Sequence, residues 1–294
     1  MAARIIDGKE VSREIRAEIK ARVEALAARG VVPGLAVILV GEDPASVSYV
    51  TGKEKACAEL GIASLGRHLP AQTSESEVVE LIRSCNADPA VHGILVQIPL
   101  PRHIDERRVI AAIAPEKDVD GLTPINIGRM ILEEPCFVPC TPSGVIQLLR
   151  RSGVAIDGAR AVVLGRSNLV GRPLVNLLTR KSLNATVTAC HTGTRDLVGA
   201  CREADILIAC AGRPGLVKGD WIKPGACVID VGVTRVEDPT AKAGFRLKGD
   251  VDFEAAAATA GWITPVPGGV GPMTITMLLD NTVIAAERAA AGRP

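Results

Sequence analysis

Aromatic residues are scarce in this chain of 294 residues: two Trp, three Phe and a single tyrosine, Tyr49, together 2% of the total. The ring platforms on which single-stranded nucleic acid stacks are therefore excluded as a main feature. An excess of charge of one sign is missing too. Lys and Arg number 34 against 33 Asp and Glu, a net of +1. No general attraction to nucleic acid or an anionic membrane surface follows, and any basic site must be local. No apolar run approaches the ~18–20 residues that span a bilayer, and the N-terminus carries no apolar signal core. The eight cysteines are scattered without a framework. Several sit in apolar runs, such as Cys210 and Cys227, and suit small buried hydrophobes in a reducing compartment. Cys136 and Cys140 lack a second Cys or His pair nearby, so a tetrahedral zinc shell would be short of ligands. These absences predict a cytoplasmic globular protein that holds no metal and binds neither nucleic acid nor membrane. With 47% hydrophobic and 23% charged residues, the chain has ample material for a buried core.

Apolar runs alternate with amphipathic stretches. Val11, Ile15, Ile19, Val23 and Leu26 stand at helical spacing and predict a helix over 10–28, stopped at Gly30. Residues 35–41 form a continuous apolar run, the pattern of a strand covered on both faces. Asp43-Pro44 caps a second helix to about Leu60, ended by Gly61, and 62–68 can form another strand. Ser74-Glu-Ser-Glu77 starts a helix to about Cys85, and 92–98 is the next strand, closed by Pro99 and Pro101. This βαβαβ order favours a parallel sheet. Between Pro115 and Pro142, Gly121 and the prolines predict a domain boundary and linker. A helix from Thr141 to about Arg151 leads into a second series of strands at 161–165, 185–190, 205–210 and 227–231. The last helix, roughly Pro272 to Ala290, is followed by no strand and is expected to pack back on the first domain. The fold class is α/β with two domains, and a cleft between such layers is a common place for small ligands.

Ala161-Val-Val-Leu-Gly-Arg-Ser-Asn-Leu-Val-Gly-Arg-Pro173 follows a strand and opens a helix. Gly165 can make the tight turn and Gly171 allows close helix–strand packing, while Ser167 replaces the middle glycine of the usual dinucleotide fingerprint. A plain strand-to-helix turn explains the loop alone; the βαβ series around it favours a dinucleotide. After the next strand comes Cys190-His-Thr-Gly-Thr-Arg195, with no carboxylate until Asp196 to hold a ribose 2′-hydroxyl. Arg166, Thr192 and Arg195 offer cations and hydroxyls to a 2′-phosphate, which predicts NADP; a solvated surface role for Arg166 is the alternative.

Tyr49 stands four residues before Lys53, so the two share one helix face. A lysine desolvated beside a ring favours its neutral form and proton transfer, although Tyr/Lys pairs are also common on ordinary helix surfaces. Gln97 lies inside the apolar run 94–101 near a strand's C-terminal end, where a buried amide needs a partner and where open α/β sheets bind ligands. In Lys117-Asp-Val-Asp-Gly121 either carboxylate can bind a cationic or amide-rich ring edge, or simply serve the turn. Pro265-Val-Pro-Gly-Gly-Val-Gly-Pro-Met-Thr274 is a glycine-proline loop before the last helix, suited to close ligand approach or to a hinge.

Taken in order, Tyr49-x-x-x-Lys53-x-Lys55, Gly93-Ile-Leu-Val-Gln-Ile-Pro-Leu-Pro101, Lys117-Asp-Val-Asp-Gly121, Pro139-Cys-Thr-Pro-Ser-Gly144, Gly165-Arg-Ser-x-x-Val-Gly-x-Pro173, Val228-Ile-Asp-Val-Gly232 and residues 263–274 resemble the bifunctional methylenetetrahydrofolate dehydrogenase/methenyltetrahydrofolate cyclohydrolase family over almost the whole chain. The resemblance implies oxidation of 5,10-methylenetetrahydrofolate by NADP, then hydrolysis to 10-formyltetrahydrofolate, by a homodimer. It implies a folate-binding catalytic domain of residues 1–140 plus 272–294 and a Rossmann-type NADP-binding domain of 141–271. Lys53 would be central to catalysis and Gln97 would modulate its protonation. Tyr49 would stack on the aminobenzoate ring and Asp120 would bind the pterin. Val96, Ile98 and the Pro267, Gly268, Gly269 loop would line the folate cleft. Gly165, Arg166, Ser167 and Thr192 would hold NADP, with Val233 near its nicotinamide half. Leu122-Thr123 stands where many members carry an aromatic and a polar ring residue, and Thr192 where serine is commoner.

Overall fold

The structure, a computed structural model, describes residues 3–241 and 244–292. The first half runs β1 (Arg4–Ile5), α1 (Gly8–Ala27), β2 (Gly34–Val40), α2 (Pro44–Leu60), β3 (Ala63–Ser64), β4 (Arg67–Leu69), α3 (Glu75–Ala87), β5 (Gly93–Val96), α4 (Glu106–Ala111) and α5 (Pro124–Ile131). The second runs α6 (Cys140–Arg151), β6 (Arg160–Leu164), α7 (Gly171–Leu178), β7 (Thr186–Cys190), α8 (Leu197–Arg202), β8 (Ile206–Ala209), β9 (Cys227–Asp230), β10 (Thr234–Glu237), β11 (Phe245–Lys248), α9 (Phe253–Ala257), β12 (Trp262–Ile263) and α10 (Val270–Ala290). These elements gather into two units: Glu14–Cys140 with Ile275–Pro294, and Met1–Arg13 with Thr141–Thr274.

The first of these is built on a four-stranded parallel sheet. All seven residues of β2 are buried, as its unbroken apolar run predicts. It pairs with β5 on one side and with β3 and then β4 on the other. The single strand expected over 62–68 is thus broken at Leu65–Gly66. There the backbone closes on α2, and a Cβ on Gly66 would lie 2.7 Å from Glu54 Oε1. Helix α2 begins where Asp43 accepts the Ser46 N–H at 2.8 Å and ends at Gly61 with φ 76°, a left-handed stop that glycine adopts without penalty. Ser74 and Glu77 form a complete capping box on α3.

The proline-punctuated stretch is no linker. Val119, Met130 and Phe137 are buried, Thr123 caps α5, and Pro124 occupies its first turn, where a missing N–H costs nothing. The C-terminal part of α10 belongs to this unit. Arg22 on α1 grips Glu287 bidentately, at 2.9 and 2.8 Å, and also meets Asp280.

In the other unit six parallel strands run in the order β1-β12-β9-β8-β6-β7. Strands β6 and β8 are adjacent, while the chain goes from β6 to β7 on the opposite side. That reversal is the switch point beside which doubly wound sheets bind ligands. Val162, Leu164, Leu207, Val228 and Ile263 lie within one buried cluster beneath the sheet. Strands β10 and β11 form a separate antiparallel pair.

Candidate active site

The spacing of Tyr49 and Lys53 on α2 leads to two different fates. Lys53 is buried, whereas Tyr49 is 52% exposed. Lys53 Nζ donates to Gln97 Oε1 at 2.7 Å, and Gln97 Nε2 donates to the Ile98 carbonyl at 2.7 Å. The Gln97 N–H reaches the Ile38 carbonyl, so the amide side chain is fixed by the sheet just beyond β5. Val96 is buried beside it, and Ile98, partly exposed, precedes Pro99 through a cis peptide bond.

Burial holds the Lys53 ammonium below the usual lysine range, with Asp120 opposing that shift most strongly. Among the described residues no carboxylate lies within ion-pair distance of it. A lysine that meets a neutral amide oxygen instead of a carboxylate can surrender its proton more readily. The desolvation comes from the unit's interior, since the Tyr49 ring is itself half in solvent.

The two carboxylates of 117–121 are separated by the structure. Asp118 is buried and accepts from the Leu122 and Thr123 N–H groups, at 3.1 and 2.8 Å, and from Asn126 Nδ2 at 2.8 Å. It organises the turn into α5. Asp120 is partly accessible; burial pushes its carboxyl above the ordinary range, against the pull of Lys53. Gly121, at φ 71°, lets the turn pass the Val138 backbone, and Asn281 ties the Val119 and Val138 carbonyls together at 2.8 and 3.2 Å.

Cys140 completes this group. Its buried Sγ donates to the Val119 carbonyl at 3.4 Å, and desolvation first, Asp120 second, hold the thiol well above its usual range. In the sequence this cysteine is a zinc ligand short of partners and a member of the motif Pro139–Gly144, without a role of its own; nothing in the spacing announces its position beside Asp120. Among the described residues no group of three His, Cys, Asp or Glu is placed to hold a metal ion.

A second site lies in the six-stranded unit, at the ends of β6, β7 and β8. Gly165, Arg166, Ser167, Thr192, Cys210 and Arg213 are among the residues lining a pocket of about 250 Å³. Gly165 has φ 139°, and a Cβ on Gly171 would collide with the Gly165 carbonyl. Both glycines are therefore required by the turn. Ser167 Oγ accepts from the Val170 and Gly171 N–H groups at 3.2 and 3.4 Å, opening α7. Arg166 and Arg213 are exposed, and among the described residues neither has an acidic partner. The pocket lining includes no carboxylate, which suits an anionic ligand. Arg213 escaped the sequence reading because it comes four residues after β8, outside the glycine loop.

Val233 is 45% exposed in the turn after β9 and is not part of that lining. Pro267 is exposed, Gly268 has φ 108°, and the buried Gly269 packs so closely on Gly8 that a Cβ there would meet its carbonyl. The structure thus groups Lys53, Gln97 and Asp120 in one unit, with Tyr49 on the same helix. Gly165, Arg166, Ser167, Thr192, Val233 and Pro267–Gly269 belong to the other.

Comparison with known proteins matches two family models. Residues 6–120 fit the tetrahydrofolate dehydrogenase/cyclohydrolase catalytic domain, and 139–290 fit the NAD(P)-binding domain of the same family. A protein of Moorella thermoacetica named bifunctional protein FolD is 57% identical over 98% of this chain and 100% of its own length. The crystal structure of a bifunctional FolD methylenetetrahydrofolate dehydrogenase/cyclohydrolase from Campylobacter jejuni superposes with a TM-score of 0.93 at 45% identity, covering 98% of this chain and 100% of that one. A Trypanosoma brucei FolD structure complexed with NADP and an inhibitor gives 0.94 at 44% identity, covering 99% of each.

Proposed function

The chain belongs to the tetrahydrofolate dehydrogenase/cyclohydrolase family, and from that premise we propose how its own residues divide the work. It oxidises 5,10-methylenetetrahydrofolate to the 5,10-methenyl form with NADP, then hydrolyses that product to 10-formyltetrahydrofolate. NADP, when bound, takes up the hydride. The substrate's two nitrogens delocalise the cation left behind, so this step needs alignment of the reactants and no base.

The pocket of Gly165, Arg166, Ser167 and Thr192 fits the dinucleotide. Its closely packed glycines admit backbone approach, its loop opens a helix, and its exposed arginines suit a 2′-phosphate. Gly165 shapes the turn; Arg166, with the Ser167 and Thr192 hydroxyls, grips the phosphates; Val233 faces the nicotinamide half.

Hydration of the methenyl cation requires proton management, and that task falls to Lys53. Water adds to the bridging carbon and loses a proton, and the C–N bond then breaks as the leaving nitrogen gains one. A buried lysine held on a neutral amide can take up the first proton and return the second. Gln97 orients Nζ and keeps the ammonium from being over-stabilised. Asp120 accepts from the pterin's N–H edge, Tyr49 stacks on the aminobenzoate ring, and Val96 and Ile98 line the folate path. The observation that carries this assignment is the 2.7 Å contact between buried Lys53 Nζ and Gln97 Oε1.

An assay of purified protein with 5,10-methylenetetrahydrofolate and NADP or NAD, with separate decay of added methenyltetrahydrofolate, tests it. NADP reduction together with accelerated decay is expected. Reduction without acceleration removes the hydrolytic role of Lys53. We assign a homodimer in the cytoplasm, where eight free cysteines suit a reducing medium; light scattering of the purified protein checks the oligomeric state. No helix of the described residues is long and apolar enough to cross a membrane.

A further inference from the structure

Two buried carboxylates in the six-stranded unit take no part in the chemistry above. Asp230 ends β9 and is 3% exposed; Asp250 follows β11 and is fully buried. Asp230 Oδ1 accepts from the Gly232 and Asp250 N–H groups, each at 2.9 Å, and its Oδ2 accepts from the Val251 N–H at 2.9 Å. The Asp230 N–H in turn donates to Thr264 Oγ1 at 2.7 Å. Asp250 Oδ2 accepts from the Ala211 and Gly212 N–H groups at 2.6 and 2.9 Å, while its buried Oδ1 has no hydrogen-bond partner among the described residues. A Cβ on Gly249 would collide with Asp230, and one on Gly232 with Asp250. Both glycines are needed to bring the backbone against the carboxylates.

A buried carboxylate with one oxygen unsatisfied is costly, so its retention calls for a purpose. The Ala211 N–H points at Asp250. In a trans peptide the N–H and C=O point to opposite sides, so the Cys210 carbonyl is turned the other way. There it meets Gly165: a Cβ on that glycine would collide with Cys210 O. The chain of contact therefore runs from Asp230 to Asp250, through the Cys210–Ala211 peptide, to the first glycine of the phosphate loop. Cys210 and Ala211 also line the dinucleotide pocket, and Gly232 leads directly to Val233.

We infer that Asp250, braced by Asp230, is a positioning residue for the dinucleotide: it sets the plane of the peptide against which the Gly165 turn is seated and holds that wall in register with the Gly232–Val233 turn. The inference rests on the assignment of this pocket to NADP. Its distinguishing consequence is selective. Loss of the carboxylate should loosen nucleotide binding and leave the second activity intact, because Lys53, Gln97 and Asp120 belong to the other unit and hydrolysis consumes no nucleotide.

The test titrates NADP against wild-type and variant proteins and measures methenyltetrahydrofolate hydrolysis without nucleotide. Asp250→Ala should raise Kd and KM for NADP about tenfold or more, the scale of one lost charge-assisted hydrogen bond, at wild-type hydrolysis rate. Asp250→Asn, which keeps an acceptor for the Ala211 and Gly212 N–H groups, should recover most of the affinity. Should Asp250→Ala fail to fold, Gly232→Ala, whose methyl presses on the same carboxylate, should show the same selective loss. Unchanged NADP affinity in the folded variants, or parallel loss of both activities with no rescue by Asn, overturns the proposal. Failure of the wild-type protein to bind NADP would instead overturn the cofactor assignment beneath it.

Discussion

An ammonium taken out of water must be paired or made easy to neutralise, and Lys53 meets an amide. Three single-residue consequences follow. Lys53→Met should leave a folded protein with methenyltetrahydrofolate hydrolysis reduced ~10²–10⁴-fold, the usual worth of general acid–base catalysis; wild-type turnover would remove Lys53 from the mechanism. The second concerns pH. Under the proposed mechanism the neutral amine is the working form, so hydrolysis should rise with pH through a limb set by Lys53, displaced downward by burial. Gln97→Glu places a carboxylate on Nζ and should move that limb to higher pH; an unmoved limb means another group titrates. The third concerns stability. Burial raises the Asp230 carboxyl to about 6, above its unfolded value. The acid therefore favours folding fully below about pH 4, and this contribution is lost as pH rises through about 6, a change of ~3 kcal/mol. The stability of Asp230→Asn relative to wild type should improve across that interval in denaturant titrations. Residue identity was only partly readable beforehand. Asp118 and Asp120 are the same type in the same turn, and only the three donors around Asp118 separate the structural acid from the accessible one. Asp230 lay inside a family motif that gave it no role and Asp250 lay outside every motif, since their meaning comes from backbone groups remote in sequence.

Among elements, those with chemical punctuation were legible and the short ones were not. Asp43, Gly61 and the Ser74–Glu77 box fixed the ends of α2 and the start of α3, and β2 followed from an apolar run that admits no exposed face. Strands β1, β12, β3 and β4 contain two or three residues each, too few for any periodicity to register, and they exist because a neighbour supplies their partners. The prolines before α5 misled because proline marks a helix start as well as a loop. The turn between β6 and α7 gives a prediction at this scale. Gly171→Ala pushes a methyl into the Gly165 carbonyl, and the strain should cost ~1–3 kcal/mol, as overpacking typically does. Weakened NADP binding and a lower denaturation midpoint are expected, and wild-type values for both would show that the turn yields without cost.

For the molecule as a whole, near-zero net charge leaves recognition to local groups, and a ligand that binds only the folded state stabilises it. NADP at a hundredfold excess over its Kd should add ~2.7 kcal/mol of stability, read as a rise in melting temperature. NAD at equal concentration should raise it less, because Arg166 and Arg213 then meet no 2′-phosphate; equal shifts would refute the phosphate selection. The six-stranded sheet carries a practical consequence. Its edge strand β1 is drawn from Arg4–Ile5, paired to Trp262–Ile263, although all of that unit outside the opening segment to Arg13 lies beyond residue 140. A fragment of residues 141–274 would expose β12 as a raw edge, open to intermolecular pairing. A fusion partner placed ahead of Arg4 would be joined to the nucleotide half rather than to the unit that holds Lys53. Dissection experiments therefore need the opening segment grafted back, for example by circular permutation, before the isolated half can be judged.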